Sequence, residues 1–190
     1  MGGRQIHMLY NALVLPHLQY CLSIWGDFRE GRNLVLGDAL LRYQKRFAGM
    51  IAGSKGRYHA DPILGHFGIL KVGDMYRHQL RIYAWRFWNG KLPENQAALL
   101  SRSENSHGHS TRAARSCLFI STRDHRSVGY RVPKEWETLT PAQRQNKSLN
   151  SFKNRSKEEF IKVYKAFECV DRGCFICCNR PSLEPGRSAA

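Results

Sequence analysis

Arg77, Arg81, Trp85 and Trp88 follow one another at intervals of three or four residues. On a helix, that spacing brings two guanidinium groups and two indoles onto neighbouring positions of one face. Cations beside flat rings suit a polyanion with stackable bases: Arg neutralises phosphate and indole takes a base, each stacked base contributing about 1–3 kcal/mol. The competing assignment is a second packing face, because large aromatics at helical spacing also fill cores. A second group, Arg42, Lys45 and Arg46 with Lys55 and Arg57 close behind, has the make-up of phosphate contacts that hold a strand without reading its sequence, although each is also an ordinary solvated cation.

Other chemistries find less support. Two-metal nucleotidyl transfer needs carboxylates close enough to hold two divalent ions about 4 Å apart. The six aspartates, Asp27, Asp38, Asp61, Asp74, Asp124 and Asp171, are scattered, and no Asp-Asp pair occurs. Glu158-Glu159 is the one adjacent acidic pair, and neighbours on a helix point about 100° apart. Cys169, Cys174, Cys177 and Cys178 supply the four thiols that a tetrahedral zinc site takes, but adjacent Cys177 and Cys178 are a poor spacing for one ion. A tail or a packed helix end is the plainer assignment, so no metal and no cofactor are assigned. His107-x-His109 lies in a Ser/Gly/Asn-rich stretch and reads as a loop. No glycine pattern frames a serine as a nucleophile elbow, so hydrolase chemistry is unsupported.

Charge points the same way as the cation-rich helices. The 190 residues carry 30 Lys+Arg against 15 Asp+Glu, a formal +15, and the excess is spread over both halves. Such a balance implies a polyanionic partner. With 42% hydrophobic and 11% aromatic residues the chain has the material for a core. No run of eighteen apolar residues is present, Pro16 and His17 interrupt the apolar start, and Ile6 stands where a myristoylation motif needs Ser or Thr. A protein of the nucleus or cytoplasm, with neither a membrane nor a small-molecule substrate as partner, is expected. Cys21, in an apolar run, reads as a small core residue.

The elements that must position these residues are helices, and the fold class expected is mainly α. Residues 6–25 read as one helix or as two meeting at Pro16, ended by Gly26. Over 34–52, Leu36, Leu40, Tyr43, Phe47 and Ile51 fall within about a third of the helix circumference and predict a buried stripe, with Arg42, Lys45 and Arg46 opposite. Gly53 to Gly56 ends that helix, and a short turn begun by Pro62 and closed by Gly68 follows. Asp74 is the predicted N-cap of a helix over 75–88, stopped by Asn89-Gly90 and Pro93, with Tyr76, Leu80, Tyr83 and Phe87 as its apolar stripe. Residues 101–126 read as a polar linker. Within the small irregular or α/β extension expected over 127–166, 129–139 reads as irregular and 150–166 as a helix anchored by Phe152, Phe160 and Tyr164. CLFIS, within the linker, suggests a short strand, and the Cys-containing 167–190 reads as a disordered tail.

Five phrases, in order, resemble the region immediately after the polymerase palm in non-LTR retrotransposon reverse transcriptases of the jockey-like and chicken-repeat-like groups. They are LYNALVLPHLQYCLSIWG at 9–26, LLRYQKRFAGMIAG at 40–53, HADPILGHFGILKVGDMYRHQLRIYAWRFWNGKLP at 59–93, HSTR at 109–112, and SLNSFKNRSKEEF at 148–160 after the Trp136 region. The likeness spans about 9–165. The chain departs from the pattern at Val132-Pro133-Lys134, where the family has Gly-Pro-Lys before Trp-Asn, and Glu135 and Glu137 flank Trp136 here.

The resemblance implies a thumb-like helical domain over 1–100 and a small C-terminal extension. Together these would grip RNA or an RNA/DNA template-primer duplex beside the palm of the same RNA-directed DNA polymerase. It also implies that this segment does not polymerise by itself, since the family's Tyr/Phe-x-Asp-Asp motif is absent. A protein-interaction remnant of a truncated retroelement copy, docking on a palm, is the alternative.

Overall fold

The helix Val72–Trp88 buries residues on most of its circumference: Val72, Met75, Tyr76, Leu80, Arg81, Ala84 and Trp85 are all inaccessible. A helix apolar on one stripe needs one neighbour, whereas this one is covered from several sides. It is the axis of the molecule. The computed structural model describes residues 2–28, 32–54, 56–102 and 127–166, with the single positions 118, 120, 125 and 174. The helices are α1 (Gly3–Leu9), α2 (Leu15–Gln19), α3 (Leu22–Trp25), α4 (Arg32–Ile51), α5 (Ala60–Phe67), α6 (Val72–Trp88), α7 (Glu94–Ala97), α8 (Val128–Glu137), α9 (Pro141–Arg144) and α10 (Leu149–Lys165). The fold is mainly α. Among the described residues the only extended pairing is one bridge between Arg102 and Leu118.

Pro16 does not break the first helical run. A π-helical turn over Tyr10–Val14 joins α1 to α2 and places Pro16 in the first turn of α2, where a missing N–H is harmless. The break falls at Cys21, whose φ of 50° is left-handed. Cys21 is exposed there and is not the core residue its apolar neighbours suggested.

In α4 the buried face is turned by somewhat less than one residue step (about 100°) from the predicted stripe. Gly37, Gln44, Ala48 and Ile51 face inward, while Leu36 and Tyr43 are exposed. Side-chain volume explains the rotation: Phe28 packs directly on Gly37 and Tyr58 on Gly49, and neither position has room for a Cβ. Gln44 makes the inward polar position tenable. Its Oε1 accepts the Val72 N–H (2.8 Å), and its amide nitrogen donates to the Tyr10 hydroxyl (2.9 Å) and the Leu70 carbonyl (3.0 Å). An amide on α4 thereby satisfies one of the N–H groups that the first turn of α6 leaves unpaired.

α6 begins three residues earlier than predicted, with Lys71 as its N-cap. Asp74, in the first turn, still suits the helix dipole and accepts a hydrogen bond from the Tyr164 hydroxyl, which in turn accepts from the Lys71 N–H (3.1 Å). Burial, and secondarily the bond to Asp74, push the Tyr164 hydroxyl's pKa far up. The predicted stops hold their positions: Gly68 caps α5 at φ 63° and Asn89-Gly90 ends α6, with Gly90 at φ 65°.

Residues 128–137, read as irregular from sequence, form α8 with Pro133 inside it. The forfeited hydrogen bond is offset by packing, since Val132 and Trp136 are fully buried. α10 buries Phe152, Phe160, Ile161 and Tyr164, as its spacing predicts. α8 lies against α6, α10 lies against α6 and α5, and one hydrophobic cluster runs from Tyr10 through Leu80 and Trp136 to Tyr164. The stretch 127–166 therefore shares the core of 1–100 and is no separate α/β extension. The expected linker and the Cys-containing tail lie almost wholly outside the described residues.

Candidate nucleic-acid interface

The cation-and-indole face of α6 points inward. Arg81 is 1% exposed, and its guanidinium donates to Glu135 (Nε to Oε1, 2.8 Å), Glu159 (2.8 Å) and Thr138 (3.2 Å), above the Phe160 ring. Arg77 is more open. Its Nε lies 3.2 Å from both oxygens of the buried Glu135, with Asp74 Oδ1 3.9 Å from its Nη1. Trp85 is 0% exposed, stacked on Phe152 and donating its Nε1–H to the Asn146 carbonyl (2.7 Å). Trp88, half-buried, packs against Trp136, and the Arg102 guanidinium sits over it at 4.8 Å.

Arg81 and Trp85 are thus unavailable to a ligand, and the Arg-Trp face is the seam on which α8 and α10 dock. The physical reason is counter-charge. Glu135 arrives on a helix that the sequence disguised with Pro133, and a buried guanidinium is tenable only with such a partner. Arg77 and Trp88 keep partial exposure, but both are engaged by protein groups.

The second predicted group behaves as expected of a surface. Arg42, Lys45 and Arg46 are exposed on the side of α4 away from the core, spanning one helical turn of about 6 Å. Arg46 lies 5.8 Å from the Tyr43 ring centroid. Among the described residues none of the three has an ion-pair partner or a side-chain hydrogen bond. Arg57 is exposed in the connection after α4, and Lys55 lies outside the described residues. The same face of α4 also exposes Val35, Tyr43 and Met50, with Leu34 at its edge.

A groove of about 480 Å³ runs between the N-terminal helices, α6 and α10. His78 and Arg86 of α6 and Lys153 and Lys157 of α10 line it, and among the described residues no carboxylate does. His78 Nδ1 is 3.1 Å from the Ser156 hydroxyl. Burial, then the charges of Arg81, Lys157 and Lys153, lower the His78 pKa to about 4. His7 is lowered by burial and by Lys157. Sequence reasoning missed this group, although a signal existed: His78, Ile82 and Arg86 recur every fourth residue, as do Lys153 and Lys157.

Cys174 is buried beside Arg57, Tyr58 and His59, while Cys169, Cys177 and Cys178 lie outside the described residues, as do His107 and His109. Among the described residues no three His, Cys, Asp or Glu side chains converge on a common point. Nor, among them, is any helix long and apolar enough to cross a membrane. Compared with protein-family models, curated proteins and solved structures, the chain matches none.

Proposed function

We propose that this chain grips nucleic acid without reading its sequence, as the post-palm part of a non-LTR retroelement's RNA-directed DNA polymerase, and that it does not polymerise alone. The observation that carries the proposal is the exposed row Arg42, Lys45 and Arg46 on the outer face of α4, cations with neither an ion-pair partner nor a side-chain hydrogen bond among the described residues. Neutralising phosphates with such a row releases condensed counterions, which makes affinity high at low salt and insensitive to base sequence. Arg57 adds an exposed cation after α4, and Lys55 precedes it in the sequence. The natural ligand is RNA or an RNA/DNA template-primer duplex, met in the nucleus or cytoplasm, with the palm of the same polymerase alongside.

Of the two cation groups expected from sequence, the proposal keeps the one on and after α4. Arg81 and Trp85 hold α8 and α10 on α6 and take no part in the grip.

Anisotropy of a labelled RNA/DNA duplex over a salt series tests the proposal: log affinity should fall linearly with log salt for every sequence tried. A second reading is favoured by Val35, Tyr43 and Met50, large apolar groups exposed among those same cations. They suit docking on a palm domain. Salt-insensitive association with a palm-containing partner, and no duplex binding, would select it.

A further inference from the structure

We infer that the groove between the N-terminal helices, α6 and α10 is a phosphate site separate from α4, holding one nucleotide unit with its phosphate on Lys153, Lys157 and Arg86. Charge matching is the first argument. Around the rest of α6, cations are paired: Arg77 and Arg81 with Glu135, Lys71 with Asp61 at 2.7 Å, Arg131 with Asp27 at 3.8 Å. In the groove the pattern stops. Arg86, Lys153 and Lys157 have neither an ion-pair partner nor a side-chain hydrogen bond among the described residues, and no carboxylate lines the walls. Basic groups gathered in a concave, partly apolar site focus potential and favour an anion.

Geometry is the second. α10 runs antiparallel to α6, since Tyr164 meets Asp74, Ser156 meets His78 and Phe152 meets Trp85. Lys153 and Lys157, one turn or about 6 Å apart, therefore flank the row His78, Ile82, Arg86, which extends about 12 Å along α6. Lys157 Nζ sits above the α5–α6 turn, 3.8 Å from the space a side chain at Gly68 would take. When the Ser156 hydroxyl donates to Nδ1 of His78, Nε2 carries the ring hydrogen and adds a neutral donor to the cations.

The walls decide the class of anion. Leu15, Met75 and Ile82 make an apolar side, with the Asn11 and Gln79 amides beside them. A bare phosphate would leave that side empty, whereas a nucleotide places its base there and its phosphate on the lysines. The volume lies within the range of small-ligand sites. A free nucleotide and a nucleotide within a single strand share this chemistry.

Heteronuclear NMR of the whole chain, following the His78 and Tyr83 ring resonances, tests the site with three probes: AMP, adenosine and a 5′-phosphorylated oligoadenylate. The two phosphorylated probes are the sources to be told apart: saturable shifts with AMP indicate a free nucleotide, and shifts with the oligonucleotide alone a strand segment. Adenosine should shift neither ring. The double variant Lys153→Gln/Lys157→Gln should weaken binding at least tenfold with an unchanged unfolding midpoint. Adenosine acting like AMP, or the double variant titrating like the parent, overturns the inference. Arg42→Gln/Lys45→Gln/Arg46→Gln must leave the AMP shifts intact, so failure of the α4 grip and failure of the groove are read separately.

Discussion

Glu135→Gln tests whether the Arg-Trp face of α6 is structural. The Glu135 side chain is 4% exposed and neutralises two guanidiniums, Arg81 at 2.8 Å and Arg77 at 3.2 Å. Removing one partner from a buried pair costs about 3–5 kcal/mol, because the other charge is left uncompensated. Arg81 retains Glu159 at 2.8 Å, but that side chain is 45% exposed and a weaker counter-ion. The loss should therefore sit at the lower end, about 3 kcal/mol. For a chain of this size that lowers the thermal midpoint by about 6–12 °C. Far-UV circular dichroism during thermal and urea unfolding measures it, with exposed Glu137→Gln as a control expected to stay within about 0.5 kcal/mol. Replacing Arg81 by Met and Glu135 by Leu together should recover much of the loss, since neither charge is then stranded. A Glu135→Gln loss below about 1 kcal/mol, the level of an exposed pair, would refute the reasoning and return Arg81 to the list of strand contacts.

Trp85→Phe removes the Nε1–H bond to the Asn146 carbonyl and should cost about 1–3 kcal/mol in urea unfolding while leaving affinity for single-stranded RNA unchanged. Lower affinity at unchanged stability would contradict the packing role. His78 titrates at about 4 in the fold and at 6.5 ordinarily, so below about pH 6.5 the unfolded chain takes up a proton that the folded one refuses. Its contribution is complete above that pH and is lost as pH falls toward 4, by up to about 3 kcal/mol. Urea midpoints at about pH 7 and about pH 4.5 should therefore differ less in His78→Gln than in the parent. Gly49→Ala drives a Cβ into the Tyr58 ring, which its hydroxyl bond to the Lys45 carbonyl holds in place. A loss of about 1–3 kcal/mol is expected in thermal unfolding, mostly relieved in a Tyr58→Ala background.

The helical class, the C-terminal ends of α4 and α6, and the anchors of α10 were legible because glycine stops and apolar periodicity are local signals. What escaped was decided by partners distant in sequence. The α4 stripe was misjudged because periodicity counts large apolar residues, whereas Gly37 and Gly49 make room for Phe28 and Tyr58. Gln44 was invisible as a core residue until Val72 and Tyr10 supplied its bonds. Pro133 concealed α8, and with it the carboxylate that turns Arg81 from a ligand contact into a structural charge. The groove cations sit on two helices about seventy residues apart, and only their antiparallel packing brings them together.

Whether α4 is the gripping surface is tested most directly by the salt dependence of duplex binding in Arg42→Gln/Lys45→Gln/Arg46→Gln. Each lost phosphate contact should lower the log–log slope by about 0.7–0.9, so the triple variant should lose about two to three in slope and bind every sequence equally weakly. A slope indistinguishable from the parent's, in a variant that unfolds at the same temperature, would contradict the account.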